Sequence, residues 1–478
     1  MILVFNIGSR RLRAETFVGI LQAGAVLFEK EHIMRKDEQR RDGFNSRWGF
    51  VLACVGSAVG MGNIWRFPYM VAEWGGLTFL LPYFLFVLLI GSTGVIEEIA
   101  LGRAAGTGPI GAFGKCTEIR YGKTFGQYIG LLPAAGALCL AIGYTVVVGW
   151  IFKYTFMSFT GELAGLGQDM AQIGGLFDQT ASAWGNNVWL LVAVAATLTI
   201  MAFGVSGGIE RVNKVMMPAL FILFVFLGIY IFTLPGADAG YKYIFTLNPK
   251  GLTEPKLWIF AFGQAFFSLS VAGNGTVIYG SYLGRDENIV RSARNIAVFD
   301  TIASMLASFV IIPAMAAGGA ELSAAGPGLM FIYLVNVFNG MPAGTIVEIV
   351  FYVCVMLAGI TSLINLYEVP VAALQEKLKL GRIASVGMIA VIGGTAALLI
   401  QAIVSGWMDA VSIYVCPLGA MLAGIMFFYV AGRDFAEKAV NEGLDKPIGP
   451  WFVFLGKYVF VPLSLIALIA GALLGGIG

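Results

Sequence analysis

The chain has 478 residues, of which 58% are hydrophobic and 12% charged, about half the ~25% charged residues of an ordinary soluble domain. Its mean hydropathy is +0.83. That much apolar surface excludes both a large soluble fold and extended disorder. The net charge of +2 leaves no basic excess for nucleic acid, and a single histidine, His32, removes most metalloenzyme and Ser–His chemistry.

In chain order, residues 1–40 read as an N-terminal leader, either disordered or an upstream extension with Met34 as the start. Its apolar stretch, Phe17 to Phe28, is too short to span a bilayer. No small-residue cleavage site of a signal peptide follows it. From residue 41 a single membrane domain continues to 478. Its apolar runs are continuous rather than alternating, which excludes a porin-like barrel and predicts helices of ~20 residues. Eleven spans follow, at about 47–71, 78–102, 126–158, 186–206, 212–234, 258–283, 293–317, 345–375, 384–404, 409–431 and 451–476. The apolar segment 321–341 is broken by Gly326, Pro327 and Gly328 and reads as a re-entrant or lid loop. The expected fold class is therefore an all-α membrane protein. Sixty-three glycines suit helices that pack closely in lipid. Five cysteines, four of them inside apolar runs and none in a CxxC pair, read as small hydrophobes.

Lys and Arg set the expected orientation. Nine lie in 1–47, four in 103–123, and twelve more fall on the same side of the eleven spans, 25 of the 30 in all. The N-terminus is expected in the cytoplasm and the C-terminus outside, in the inner (plasma) membrane of the cell.

Two spans are interrupted. The first reads Gly56-Ser57-Ala58-Val59-Gly60-Met61-Gly62-Asn63, and the sixth Ser268-Leu269-Ser270-Val271-Ala272-Gly273-Asn274-Gly275-Thr276. Unwound backbone at membrane depth costs several kcal/mol per unpaired group, so it persists where a cavity, ion or ligand satisfies it. Tight glycine packing is the alternative for either segment alone. Because the interruptions lie five spans apart, the second half enters the membrane from the opposite side. This is the sign of a 5+5 inverted repeat, with repeat one at about 47–234, repeat two at about 258–431 and an additional helix at 451–476. The ionisable residues within spans are functional candidates: Arg66, Glu97 or Glu98, Asp300, Glu368 and Asp409. Structural pairing is the alternative for Glu98 and Glu368, whereas Asp300, near Ser304, favours ion coordination.

The run Arg47-Trp48-Gly49-Phe50 through Gly56-Ser57-Ala58-Val59-Gly60-Met61-Gly62-Asn63-Ile64-Trp65-Arg66-Phe67-Pro68-Tyr69 resembles the first-helix signature of the neurotransmitter:sodium symporter family. The resemblance continues in Glu98 with Gly102-Arg103, in Gly143-Tyr144 with Gly149-Trp150, in Gly263 to Ser270, and in Ala358-Gly359-Ile360-Thr361-Ser362 with Glu368. It covers about residue 41 to the end. It implies a leucine-transporter-like fold with helices 1 and 6 broken, and eleven spans where most members have twelve.

The resemblance also implies two sodium sites. The first maps onto the Ala58 carbonyl, Asn63, Ser268 and Asp300, with a substrate carboxylate as the extra ligand. The second maps onto the carbonyls of Gly56, Val59 and Ala358 with the hydroxyls of Thr361 and Ser362. Oxygen donors of this kind suit a hard cation. The implied substrate is an amino acid. Its carboxylate would meet N–H groups at Gly60, Met61 and Gly62 and the Tyr144 hydroxyl. Its ammonium would meet carbonyls near Ala58, Phe267 and Ser270 and the Ser362 hydroxyl, with Ser268 alongside. Leu140, Phe267, Gly273, Ser362 and Leu366 would form the side-chain pocket, with plain packing the alternative for Leu140 and Leu366.

Gates are implied as well. Arg66 would pair with Asp409 outside, above a lid of Tyr144 and Phe267, and Arg41 with Glu376 inside, assisted by Tyr282. Phe44 stands where the family usually has Trp. Gly208 and Pro218 resemble the fifth-helix element that unwinds to open the inner path. The expected function is sodium-coupled, chloride-independent amino-acid symport by alternating access, favouring hydrophobic or aromatic substrates. The partners are then the amino acid, sodium ions and the lipid bilayer, with no nucleic acid. An amino-acid sensor or a channel on the same fold is the alternative. An intramembrane enzyme would need a motif such as GxGD, and the chain has none.

Overall fold

A computed structural model describes residues 42–118, 120–319 and 326–476. Arg41 and the leader expected at 1–40 lie outside these residues. Among the described residues the regular structure is helical throughout. The spans are α1 (Arg47–Ala58) with α2 (Gly62–Trp74), α3 (Leu77–Ala105), α4 (Lys123–Thr160), α5 (Asn187–Ala202), α6 (Val205–Phe232), and α7 (Pro255–Ser268) with α8 (Gly275–Gly280). After them come α9 (Ile289–Ala317), a short α10 (Leu329–Asn339), α11 (Gly344–Leu378), α12 (Arg382–Leu399), α13 (Gln401–Ala431) and α14 (Trp451–Leu474). Each of the eleven expected spans coincides with one helix or one broken pair. Eight are continuous apolar helices long enough to cross a membrane, and the bent pair α1–α2, turned by 58°, is a ninth. The other two are α5, which is short at 16 residues, and the interrupted pair α7–α8.

Polarity is inverted relative to a soluble protein. The charged or amide side chains of Asn63, Glu98, Gln264, Asp300 and Glu368 are buried, while Leu88, Ile222, Phe232, Val391 and Leu473 are 68–80% exposed. Lipid, unlike water, leaves such an apolar exterior at no cost, and it drives polar groups inward to find partners. The two long central helices, α4 and α11, form the most extensive helix–helix contact. At 38 residues α4 is about 57 Å long, well beyond the ~30 Å of the hydrocarbon layer.

Local chemistry sets the helix ends. Ser46 caps α1, its hydroxyl accepting the Gly49 N–H at 3.0 Å, and Asn288 caps α9 in the same manner. α3 and α8 meet backbone to backbone, since a Cβ on Gly280 would lie 2.6 Å from the Ile99 carbonyl oxygen. One expectation is corrected. From Gly326 the segment read as a re-entrant or lid loop is helical through Asn339. Its Gly and Pro sit at the helix start, where proline's missing N–H costs nothing. Its apolar residues Leu329, Met330, Phe331, Leu334, Val335, Val337 and Phe338 are buried, with Phe331 stacked on Phe177 at 5.2 Å.

Where α11 meets α12, Arg382 holds the buried Glu368 carboxylate through two bonds of 2.6 and 2.7 Å. Tyr282 donates to the same carboxylate at 2.6 Å. The alternative reading of Glu368, as a structural residue, is the one the geometry favours. Arg382→Met would leave that carboxylate buried without its cation, costing about 3 kcal/mol or more. The melting temperature in detergent should drop clearly and recover in part when Glu368→Gln is added; an unchanged melting temperature in the single variant would show that the pair carries no stability.

Candidate substrate and sodium sites

The two helix interruptions face each other across one cavity of about 50 Å³, room for roughly four waters. The first interruption contributes Ser57, Ala58, Gly60, Gly62 and Asn63, and the second Phe267, Ser270 and Gly273. Leu140 and Tyr144 reach in from α4, and Ser362, Asn365 and Leu366 from α11. Ten of the twelve expected pocket residues therefore line one space. Met61 and Ser268 do not. The Met61 N–H donates to the Tyr144 hydroxyl at 3.0 Å, its terminal methyl packs at Gly359 beside Val148, and the residue borders a second cavity above. Ser268 sits behind the pocket in a polar cluster. Ser57 and Asn365 were not expected. Asn365 follows Ser362 by three residues on α11, and that spacing puts both on one helix face.

The second interruption holds strained backbone. Ser270 and Asn274 both adopt positive φ, 56° and 51°, a conformation uncommon outside glycine and asparagine. Each is held by a partner. Ser270 Oγ donates to the Ser57 carbonyl at 2.8 Å, tying one interruption to the other. Asn274 Nδ2 donates to Glu98 at 3.0 Å, and Thr276 donates to the same carboxylate. Glu98 thus pairs within the bundle, the structural alternative.

Behind the cavity, Asn63, Ser268, Asp300 and Ser304 form one buried cluster. Asn63 Nδ2 donates to Asp300 Oδ1 and Ser304 Oγ at 2.7 Å each and to Ser268 Oγ at 3.0 Å, while Ser268 donates to Asp300 Oδ2 at 2.6 Å. Three of the four residues mapped to the first sodium site, Asn63, Ser268 and Asp300, are therefore together, while Ala58 lines the pocket, and one difference from expectation appears. The Asn63 oxygen faces away from Asp300 and accepts the Gly60 N–H at 3.0 Å. Tyr83 approaches Ser268 at 3.5 Å, and Gln264 donates to the Gly62 carbonyl at 3.1 Å.

The donors mapped to the second site also converge. Ser362 Oγ lies 3.4 Å from both the Gly56 and Val59 carbonyls. Thr361 Oγ1 lies 3.1 Å from the Ala358 carbonyl, bonding backward within α11.

Above the pocket a larger cavity of about 370 Å³ is lined by Arg66, Asp409, Trp65, Tyr69, Met408 and Pro327, among others. Gly62, Tyr144 and Phe267 line both cavities and so form the partition between them. Arg66 and Asp409 share this outer cavity, but among the described residues no ion pair within 4.0 Å joins them. The Arg66 guanidinium lies over the Phe267 ring at 4.8 Å instead. At the opposite end, Glu376 accepts the Gly108 N–H at 2.9 Å. Tyr282, expected beside Glu376, donates to Glu368. Phe44 packs edge-on to Phe50, Tyr279 and Tyr282 at 5.5–6.4 Å, so an aromatic cluster stands there without tryptophan. Gly208 lies in a wide turn at the start of α6, and the helix is wound through Pro218.

The family model for the sodium:neurotransmitter symporters matches residues 41–173 and 168–469. The chain belongs to this family. The uncharacterized sodium-dependent transporter YhdH of Bacillus subtilis is 38% identical over 341 residues, 70% of this chain and 73% of its own. An uncharacterized sodium-dependent transporter of Methanocaldococcus jannaschii is 28% identical over 462 residues, 90% of each chain. The crystal structure of MhsT in complex with L-phenylalanine matches with a TM-score of 0.79 at 32% identity, covering 90% of this chain and 99% of that one. The fold is thus that of a leucine-transporter-like sodium-dependent transporter, a membrane protein and not an enzyme.

Proposed function

We propose that this family member is a sodium-coupled symporter of amino acids, preferring hydrophobic or aromatic ones, and that it works by alternating access. The observation that carries the reading is the cavity at the meeting point of both interruptions, flanked by two oxygen-rich clusters. An L-phenylalanine complex of MhsT supports an amino acid of this class. Gly273 and Leu366 give the pocket an apolar wall, and Asn365 adds one amide.

Asn63 links ion to substrate. In this structure its Nδ2 stands where a cation would be drawn, against Asp300, Ser268 and Ser304, and its oxygen occupies the Gly60 N–H. A half-turn of the amide presents the oxygen to sodium at the first site. The same turn releases the Gly60 N–H toward the substrate carboxylate. One rotation therefore serves both ligands, and each favours the other's binding. The second sodium is held by Gly56, Val59, Ala358, Thr361 and Ser362. With the basic ends of the helices inside, the N-terminus is cytoplasmic, the 370 Å³ cavity opens outward, and the C-terminus lies outside.

Uptake into proteoliposomes under a sodium gradient, with a panel of twenty competing amino acids, tests the reading. Accumulation above equilibrium separates a symporter from a channel or a sensor. In the same assay Thr361→Val with Ser362→Ala removes two hydroxyl ligands at nearly constant volume. Sodium affinity and uptake should fall together; wild-type sodium dependence would place the second site elsewhere.

Closing the outer cavity brings Arg66 to Asp409 in this scheme. Asp409→Asn should raise the accessibility of an engineered outer-cavity cysteine to a membrane-impermeant thiol reagent, and should lower transport more than equilibrium substrate binding. Unchanged accessibility would sink the gate.

Asp300 sets chloride independence. It is a fixed carboxylate in the same cluster as Ser304, Ser268 and Tyr83. An added chloride would meet like charge, at a cost of about 4 kcal/mol for ~4 Å and an effective dielectric constant of ~20. Replacing chloride by gluconate should leave wild-type uptake intact, whereas Asp300→Asn should become chloride-dependent or inactive. Collapse of wild-type uptake in gluconate would remove Asp300 from this part.

A further inference from the structure

On α6, facing the first interruption, lies a buried oxygen that the proposed sites do not use. Asn213 is fully buried. Its Nδ2 donates to the Ile209 carbonyl one turn back at 2.9 Å, but its Oδ1 has no hydrogen-bond partner. A buried amide oxygen left unpaired carries a real desolvation cost, so it calls for a partner. Its surroundings say which kind. Oδ1 occupies the space beside Gly56 that a Cβ would take, and the Thr361 Cβ lies 3.0 Å from that same point. Gly56 and Thr361 are both proposed ligands of the second sodium. The unpaired oxygen therefore lies beside that cage, on the side of α6.

We infer that Asn213 Oδ1 is a further oxygen donor for the second sodium, reaching the ion directly or through one bridging water. The inference rests on the second-site reading above. Sodium prefers such neutral carbonyl and hydroxyl oxygens, and an amide oxygen supplies one without adding a buried charge. The position also matters for the cycle. Asn213 lies between Gly208 and Pro218, where a wide turn and a proline lacking its N–H weaken α6. An ion holding Oδ1 toward Thr361 steadies this stretch, and its departure removes that tie. Gly56 is small for the same reason, since any side chain there would displace the oxygen.

The test uses the purified full-length protein and sodium alone, by equilibrium binding of radioactive sodium and by thermal-shift titration with sodium chloride against choline chloride. Asn213→Ala should weaken half-saturation about five-fold, the factor for one net polar contact. Asn213→Ser, which keeps an oxygen, should recover part of the loss. Asn213→Asp should move the other way and tighten sodium binding. A purely structural asparagine would lower the melting temperature in all three variants without moving the sodium midpoint, and that outcome overturns the inference. So does an aspartate variant that binds sodium no tighter than wild type. Thr361→Val with Ser362→Ala is the reference, and it should lose one bound sodium. If it loses none, the second-site reading fails; if it does and the Asn213 variants match wild type, this inference alone fails.

Discussion

Backbone N–H and C=O groups cannot go unpaired at the depth of a membrane, where each costs several kcal/mol. At two places, Val59–Met61 and Leu269–Asn274, the helical ladder stops inside the bundle. The surrounding side chains are organised around those gaps. Tyr144 takes the Met61 N–H, Asn63 takes the Gly60 N–H, and Ser270 bonds the Ser57 carbonyl across from the opposite interruption. Glu98 steadies the second gap through Asn274 and Thr276. Among the described residues, Ser362 approaches the carbonyls of Gly56 and Val59 in a long contact at 3.4 Å. What the protein leaves weakly satisfied is what an ion or a carboxylate can complete, so the cost of the break is also the source of the site.

Much of this was legible in the chain because each signal had its own physics. Continuous apolar runs placed all eleven spans, and glycine-rich polar interruptions placed the breaks. The first-helix signature and the Thr361-Ser362 pair mapped residues that the fold does bring together. The losses have equally specific causes. Asn365 was not expected in the pocket, although its three-residue spacing from Ser362 on one helix face was readable. The orientation of the Asn63 amide depends on which neighbours compete for it, and no linear pattern encodes that. The bond from Tyr282 to Glu368 beside Arg382 is fixed by how α11 meets the chain after α8, which no linear pattern encodes. Segment 326–339 was read as a loop from its Gly-Pro-Gly start, but a proline at a helix start does not oppose the helix that follows.

The conformation captured here follows from unequal ties at the two ends of the bundle. At the end where α1 begins, Glu210 on α6 is buried against α1: it accepts the Asn45 N–H at 2.6 Å and the Ser46 hydroxyl at 2.8 Å, and pairs with Lys214 at 2.5 Å. Glu368 with Arg382 and Tyr282, and Glu376 with the Gly108 N–H, close the same end. Breaking a buried, hydrogen-bonded ion pair costs about 3–5 kcal/mol. At the other end Arg66 rests on the Phe267 ring, a contact worth about 0.5–2 kcal/mol, and Asp409 stands across a 370 Å³ cavity. The end with weaker ties is the one that stands open.

If the protein alternates its access, as proposed above, that inequality has to be reversible. The closed end must therefore contain an element that gives way without every ion pair breaking independently. α6 has the required construction. Its first turn is wide, Gly208 and Pro218 bracket its weakest stretch, and Glu210 grips the cap of α1 from within it. On that proposal, unwinding of this stretch would move Glu210 and release Asn45 and Ser46 together, leaving Glu368–Arg382 intact on α11 and α12. A local loss of helix is cheaper than the sum of the polar contacts it carries away, because the freed carbonyls and the Glu210 carboxylate meet water as they separate. On the proposed cycle the gate at this end would be a helix whose winding holds the ion pair, rather than an ion pair alone.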